Sequence, residues 1–230
     1  MSAVKTLELF AGSRSFSKVA ESYGFETYTT DLEPFEHITE VCDIFDFDTQ
    51  KLIERYGRPD VIWASPPCTA FSVASISHHW NMDKTPKTEK ARYGLRMVAK
   101  TLEIIKKLVP KAYFLENPRG MLRKTAIVKS IPLLKTVTYC SYGDMRMKPT
   151  DVWTNYDFQS RPMCHNGNRE CHHEPSPRGS HHSGTQSSQS AFERSRIPPA
   201  LFEDIFNELF VSPNKLNLIR HNPPDGGMNG

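Results

Sequence analysis

The sequence lacks the features of a membrane or secreted protein. None of its apolar runs approaches the length of about 18 residues that a membrane span needs, and its beginning, MSAVKTLELFAG, has no basic segment followed by an apolar one. Its five cysteines are odd in number and spread over 230 residues, so we do not expect a disulfide framework. These absences predict a cytoplasmic protein with reduced thiols, no membrane and no obligatory protein partner.

Apolar periodicity is absent from residues 159–190. This segment holds most of the histidines, two cysteines and several proline, glycine and serine residues, so it cannot build a conventional core. We expect either a polar, flexible loop or a small module held by something other than apolar burial. In the second case, one structural zinc ion would be bound by a set of candidate ligands consisting of Cys164, Cys171, His172 and His173.

Elsewhere the chain alternates between two periodicities. Strand candidates are residues 7–10, 27–31, 59–64, 112–117, 133–142 and 151–154, and helical spacing occurs at 15–25, 93–109 and 197–210. This alternation predicts an α/β fold with a mostly parallel sheet flanked by helices. Residues 75–90 are polar, and we expect a mobile loop there.

Four of the predicted strand ends carry polar or reactive groups: Phe10-Ala11-Gly12, Asp31, Pro67-Cys68 and Glu116-Asn117. In open α/β sheets, ligands bind at the carboxyl ends of the strands. The first turn suits a nucleoside-containing cofactor, with Asp31 about 20 residues on to hold ribose hydroxyls. Because FAGSRSF lacks the full Gly-x-Gly-x-x-Gly pattern, a pyrophosphate is not expected.

Charge is distributed unevenly along the chain. Residues 1–60 carry twelve acidic and six basic side chains, whereas residues 119–150 carry seven basic side chains and one acidic side chain. The basic stretch suits a polyanion such as nucleic acid. A solvated basic face is the alternative.

The order of these motifs resembles the C5-cytosine-specific DNA methyltransferase family, in a small, phage-type form. LELFAGSRSFS resembles the family's methyl-donor turn, SPPCTAFS its Pro-Cys nucleophile loop, FLENPRG its Glu-Asn-Val motif, YGDMRMKPT its later Arg-containing motif and RSRIPPALFEDI its closing Val-Pro-Pro helix. The resemblance implies a Rossmann-like class I fold that uses S-adenosylmethionine. It divides the chain into a catalytic core (1–155), a short Cys/His-rich recognition insert (156–192), a closing helix (193–212) and a disordered tail (213–230).

The resemblance also implies roles for individual residues. Cys68 would add to C6 of a flipped cytosine, because addition of a thiolate makes C5 nucleophilic. Glu116 would contact N3 and the exocyclic amine, and Arg146 would hold O2. The donor would be bound by residues from several strand ends, namely Phe10, Ala11, Gly12, Ser13, Asp31, Leu32, Asp43, Ile44 and Pro67. The implied substrate is double-stranded DNA in a prokaryotic or phage-infected cell.

Departures from the family pattern keep other functions open. Arg14-Ser15 stands where the family has Gly-Gly, Thr69 where it has Gln, and Arg194-Ser195 where it has Gly-Asn. These arginines suit DNA phosphates; alternatively, they suit a carboxylated S-adenosylmethionine that would carboxymethylate cytosine. The SPPC loop also resembles that of amino-methyltransferases. A non-catalytic, zinc-containing DNA-binding protein and an RNA substrate complete the alternatives.

Overall fold

The computed structural model describes residues 3–175 and 190–211. Within these residues, seven strands form one sheet in the order β3-β2-β1-β4-β5-β7-β6. The strands are β1 (Lys5–Leu9), β2 (Glu26–Asp31), β3 (Glu40–Val41), β4 (Val61–Ala64), β5 (Ala112–Pro118), β6 (Leu133–Thr138) and β7 (Pro149–Thr154). All pairs among β1–β5 are parallel, and β7 runs antiparallel to both of its neighbours. The predicted α/β fold is confirmed.

Six α-helices accompany this sheet in the described residues. They are α1 (Ser15–Ser22), α2 (Thr49–Arg55), α3 (Ile76–His79), α4 (Glu89–Leu108), α5 (Ala191–Ser195) and α6 (Pro199–Phe206). Single 3₁₀ turns occupy Val73–Ser75, Leu122–Lys124, Ala126–Val128 and Tyr139–Tyr142, and a π-turn, Asn207–Val211, follows α6. None of the described helices is both long and apolar enough to cross a membrane. The predicted tail and residues 176–189 of the insert lie outside the described residues.

The core lies on both faces of the sheet because the central strands are buried on both sides. Along β4, Ile62 packs in one apolar cluster and Trp63 in the other. The first cluster is covered by α4, and the second by α1 and α6. In the second, the Trp63 ring lies 5.9 Å from that of Phe16 and 4.8 Å from that of Phe202. Because helices pack on both faces, the parallel strands are held in place and their carboxyl ends lie along one edge of the sheet.

Residues 75–90 correct the prediction of a mobile polar loop. They contain α3 and a backbone bridge between Trp80 and Pro86. Trp80 is buried, and its indole Nε1 donates a hydrogen bond of 2.6 Å to the carbonyl oxygen of Ala70. The His79 ring lies 2.8 Å from the hydroxyl of Thr88, the residue that caps α4. The polar composition of this segment gave no indication that the Trp80 side chain is buried and holds the segment against the chain that follows β4.

Candidate active site

The turn between β1 and α1 has an unusual backbone. Phe10, Gly12 and Arg14 all have positive φ, at 59°, 32° and 54°, a region that costs a residue with a side chain roughly 1–2 kcal/mol. The amide of Gly12 donates a hydrogen bond of 2.8 Å to Oδ2 of Asp31, which fixes this carboxylate beside the turn. Backbone strain concentrated at a strand end is typical of a ligand site.

A buried carboxylate occupies the beginning of α1. Glu8 accepts hydrogen bonds from the amides of Phe16 (3.3 Å) and Ser17 (2.9 Å). Burial raises the pKa of Glu8 to about 7, although these hydrogen bonds and Arg14 oppose the shift. Since a helix N-terminus is where dinucleotide-binding folds hold phosphate, Glu8 takes the place that a pyrophosphate would need. This agrees with the absence of the full glycine pattern.

The other predicted donor residues lie at neighbouring strand ends. The amide of Cys42 donates to the carbonyl oxygen of Asp31 at 3.0 Å, which brings Asp43 and Ile44 next to the end of β2. Leu32 is 59% exposed, so an apolar surface is available beside the Asp31 carboxylate. Pro67 follows β4, the strand on the other side of β1. The structure therefore brings the predicted donor residues to one edge of the sheet.

The loop that carries Cys68 is held by the backbone around it. The carbonyl oxygen of Cys68 accepts hydrogen bonds from the amides of Phe71 (2.9 Å) and Ser72 (3.0 Å). The carbonyl oxygen of Phe71 in turn accepts 2.7 Å from the amide of Met121, in the loop after β5. A Cβ at Gly120 would overlap that carbonyl oxygen, so glycine is required for the close approach. The two loops form one unit.

A buried hydrogen bond links the strand that carries Glu116 to the loop that carries Cys68. In the β4–β5 register, Ala64 is opposite Leu115, so Glu116 lies where the Cys68 loop begins. Asn117 Nδ2 donates 2.9 Å to the carbonyl oxygen of Pro66, and both groups are buried. The Tyr139 hydroxyl donates 3.1 Å to Oε1 of Glu116. The predicted nucleophile and acid are thus placed at adjacent strand ends with little freedom to separate.

Burial sets the protonation of both groups. It raises the pKa of the Glu116 carboxyl, with Lys148 acting in the opposite direction, so the protonated acid is favoured. Burial also raises the pKa of the Cys68 thiol; Lys148 and Arg194 lower it and Glu116 raises it further. Lys148 acts on both groups and was missed by sequence reasoning. Its position two residues after Arg146, in MRMK, was the available signal.

Arg146 has hydrogen-bond partners that the sequence did not predict. Its five N–H groups are all used: the Asp144 carboxylate accepts two, and the carbonyl oxygens of Glu193, Arg194 and Arg196 accept the other three. No N–H remains for O2 of a cytosine, so this geometry does not support the predicted contact. Arg146 instead braces the segment that leads into α6.

Arg14, which stands where the family has glycine, and Arg196, two residues after Arg194, both have partners. Arg14 forms an ion pair with Glu21, further along α1, so its charge has a carboxylate partner. The Arg196 guanidinium lies over the Phe192 ring, 5.6 Å from its centroid. Neither contact places a free cation at the donor turn.

Ion pairs in the fold reduce the positive charge that residues 119–150 expose. Three of the seven cations in this stretch are paired: Arg123 with the fully buried Asp151, Lys135 with Asp157 and Arg146 with Asp144. The exposed cations of the stretch are Arg119, Lys124 and Lys129. These three remain available to a polyanion.

The predicted metal ligands converge, with one replacement. Cys164, Cys171 and His173 meet Cys140, and their ligand atoms all lie within 4.8 Å of one another. His172 lies outside this group, with Nε2 3.0 Å from the carbonyl oxygen of Asp144. The predicted set is therefore corrected from His172 to Cys140. Sequence spacing gave no signal for Cys140, because it precedes Cys164 by a whole strand and turn.

Comparisons with known proteins concern the sequence of the chain. The family described as C-5 cytosine-specific DNA methylase matches residues 4–139. A protein of Frog virus 3 (isolate Goorha), named "Probable DNA (cytosine-5)-methyltransferase", is 32% identical over 159 residues, which cover 67% of this chain and 72% of the viral protein. The Arg-containing motif and the closing helix lie beyond the family match.

Solved structures are more distant. The Entamoeba histolytica methyltransferase EhMeth has a TM-score of 0.48 and 13% identity, covering 70% of this chain and 57% of that one. The S. pombe Dnmt2 methyltransferase has a TM-score of 0.45 and 13% identity, covering 69% and 52%. This chain therefore spans little more than half the length of these proteins. On the family match and the viral relative, the chain belongs to the C-5 cytosine-specific DNA methylase family.

Proposed function

We propose that the protein transfers a methyl group from S-adenosylmethionine to C5 of a cytosine in double-stranded DNA. The main support is the placement of Cys68 and Glu116 at adjacent strand ends, tied by the 2.9 Å hydrogen bond from Asn117 to Pro66. The name of the viral relative supports the same reaction. Its source supports action on DNA in the cytoplasm of an infected host cell.

The donor turn fits S-adenosylmethionine better than a dinucleotide. Glu8 fills the beginning of α1, Asp31 offers carboxylate oxygens to ribose hydroxyls, and the exposed Leu32 offers an apolar surface to adenine. When bound, the donor supplies an electrophilic methyl group. The protein's part is to hold that group over C5 and to activate the base.

Cys68 would activate the cytosine by covalent addition. Because C6 is inaccessible in a duplex, the base must first be flipped out. Cys68 loses its proton, and the sulfur electron pair forms a bond to C6 while the C5–C6 π electrons make C5 nucleophilic. Glu116, whose pKa is raised by burial, would donate a proton to N3 and so stabilise the developing charge. C5 would then take the methyl group while the donor sulfur keeps the bonding electrons and leaves as S-adenosylhomocysteine. Loss of the C5 proton to solvent would re-form the C5–C6 double bond as the Cys68 sulfur leaves with its electron pair, and N3 would return its proton to Glu116.

Nucleoside mass spectrometry would test this reaction directly. Duplex DNA incubated with the protein and S-adenosylmethionine should yield 5-methylcytosine, and DNA containing 5-fluorocytosine should form a covalent adduct with Cys68. N4-methylcytosine without an adduct would identify an amino-methyltransferase. Absence of any product would identify a DNA-binding protein without catalysis. A parallel incubation with RNA distinguishes the two nucleic acids.

Two further assignments concern cofactors. A carboxylated S-adenosylmethionine is the alternative donor, but the ion pair of Arg14 with Glu21 favours the ordinary one. Competition between the two donors would decide, because carboxymethylcytosine and methylcytosine differ in mass. We also propose that the cluster of Cys140, Cys164, Cys171 and His173 holds zinc as a structural ion, outside the reaction.

A further inference from the structure

We infer that Cys140, Cys164, Cys171 and His173 form a zinc clasp that fastens the recognition insert to the end of β6. Three thiols and an imidazole are a common donor set for closed, structural zinc sites. Zinc–sulfur and zinc–nitrogen distances near 2.3 and 2.1 Å put the ligand atoms of such a tetrahedral site about 3.6–3.8 Å apart. The four ligand atoms here already lie within 4.8 Å of one another, and His173 Nδ1 is 3.7 Å from Cys164 Sγ.

The surroundings of the ligands support a metal. His173 is 3% exposed, and its Nδ1 faces the Cys164 sulfur, so this buried imidazole nitrogen is directed at the thiols. Asn168 Nδ2 donates 3.5 Å to the sulfur of Cys164, and the amide of Cys164 donates 2.8 Å to the Thr138 hydroxyl. Such outer contacts orient metal ligands. Soft thiolates select zinc over magnesium or calcium.

The zinc clasp is connected to the candidate active site because Tyr139, the residue before Cys140, contacts Glu116. Cys140 belongs to the 3₁₀ turn Tyr139–Tyr142, and the Tyr139 hydroxyl donates to Glu116. The Ser141 hydroxyl of the same turn donates 2.8 Å to the carbonyl oxygen of Pro162. Metal binding therefore restrains both the insert and the tyrosine that orients the acid. This second consequence rests on the proposed function, whereas metal binding itself does not.

Metal analysis of untagged protein, purified without added zinc, tests the clasp. The wild-type chain should hold one equivalent of zinc, and cobalt in its place should show intense thiolate-to-cobalt absorption with tetrahedral d–d bands. Cys140→Ser and Cys171→Ser should lose most of the metal. Cys42→Ser is the matched control, because this thiol lies at the end of β3, outside the cluster, and should retain zinc. His172→Ala should also retain it.

Each contrary result has a defined meaning. Wild-type protein with far less than one zinc, or a mass two hydrogens lower that reveals a disulfide among these cysteines, would overturn the clasp. Full zinc in Cys140→Ser together with loss in His172→Ala would overturn the ligand set. Limited proteolysis should cut within residues 156–175 faster after chelation. If zinc is present but DNA gains no methyl group, the proposed reaction fails and the clasp stands.

Discussion

The proposed catalytic edge, which carries Cys68 and Glu116, and the described part of the proposed recognition insert are ordered by different interactions. Cys68 follows β4 and Glu116 lies near the end of β5. The central residues of both strands are fully buried, so apolar packing fixes where these two groups lie. Between residues 156 and 175, only Phe158 and His173 are buried among the described side chains, and polar and sulfur contacts do the fixing. Where apolar burial is extensive, the register of the strands positions the candidate reactive groups. Where it is scarce, we expect metal ligands to hold the chain in place.

The largest effect should come from the catalytic edge. Cys68→Ala removes the group that adds to C6, and we expect turnover to fall by at least about 10⁴-fold. Donor affinity should stay within about twofold, because Cys68 is not needed to hold the donor. Cys42→Ala is the control for loss of a thiol. Near wild-type methylation by Cys68→Ala would contradict covalent catalysis.

Glu116→Gln should be the next most damaging change. The amide can still accept from Tyr139, but it cannot supply the acidic proton, so we expect a loss of about 10²- to 10⁴-fold in turnover. Glu103→Gln on the exposed surface of α4 is the matched control. Weaker donor binding at an unchanged turnover number would place Glu116 in the donor site instead.

Cys171→Ser tests whether metal binding by the Cys/His-rich segment affects turnover. Loss of the metal should loosen the turn that contains Tyr139 and lower turnover by about 10- to 100-fold, less than loss of Cys68 itself. Restoring zinc to the chelated wild type should recover the rate, whereas the variant should not respond. An unchanged rate in a zinc-free variant would separate the insert from catalysis.

Lys148→Met should change the pH profile more than the maximal rate. Turnover requires the Cys68 thiolate and the protonated Glu116, and Lys148 lowers the pKa of both. Without this cation both pKa values rise. The ascending limb, set by the thiol, and the descending limb, set by the acid, should therefore both move to higher pH. At neutral pH we expect a loss of up to about tenfold. Arg119→Met is the control, and a profile that moves to lower pH would refute the assignment.

Arg14→Gly should have the smallest effect. It relieves a left-handed backbone at a cost of one ion pair with Glu21, and these opposing contributions are each about 1 kcal/mol. We expect the free energy of unfolding to change by less than about 1 kcal/mol, measured by urea denaturation. Donor preference should not change. Loss of acceptance of a carboxylated donor would show that Arg14 faces the donor after all.

The sequence predicted the position of a residue well where a local strand pattern was enough to place it in the sheet. Asp31 ends a β-rich run, and Cys68 and Glu116 lie at the ends of short apolar runs; parallel pairing brings these ends to one edge. Prediction from the sequence failed where a contact joins distant segments. Cys140 meets Cys171 only because β6 ends beside the insert, and Arg146 finds its acceptors almost fifty residues further on. The polar segment before α4 concealed the buried Trp80.

The packing of α6 against α1 has a consequence for the order in which the protein is made. Phe16 follows the donor turn, and its ring meets those of Phe202 and Phe206 at 5.5 and 5.3 Å. A ribosome delivers all seven strands before it delivers these two phenylalanines. Until they emerge, α1 alone covers the sheet face that holds Trp63, and nascent chains expose the part of it that α6 will cover. We therefore expect the donor site to mature only after α6 leaves the exit tunnel, so that unfinished chains remain inactive toward DNA.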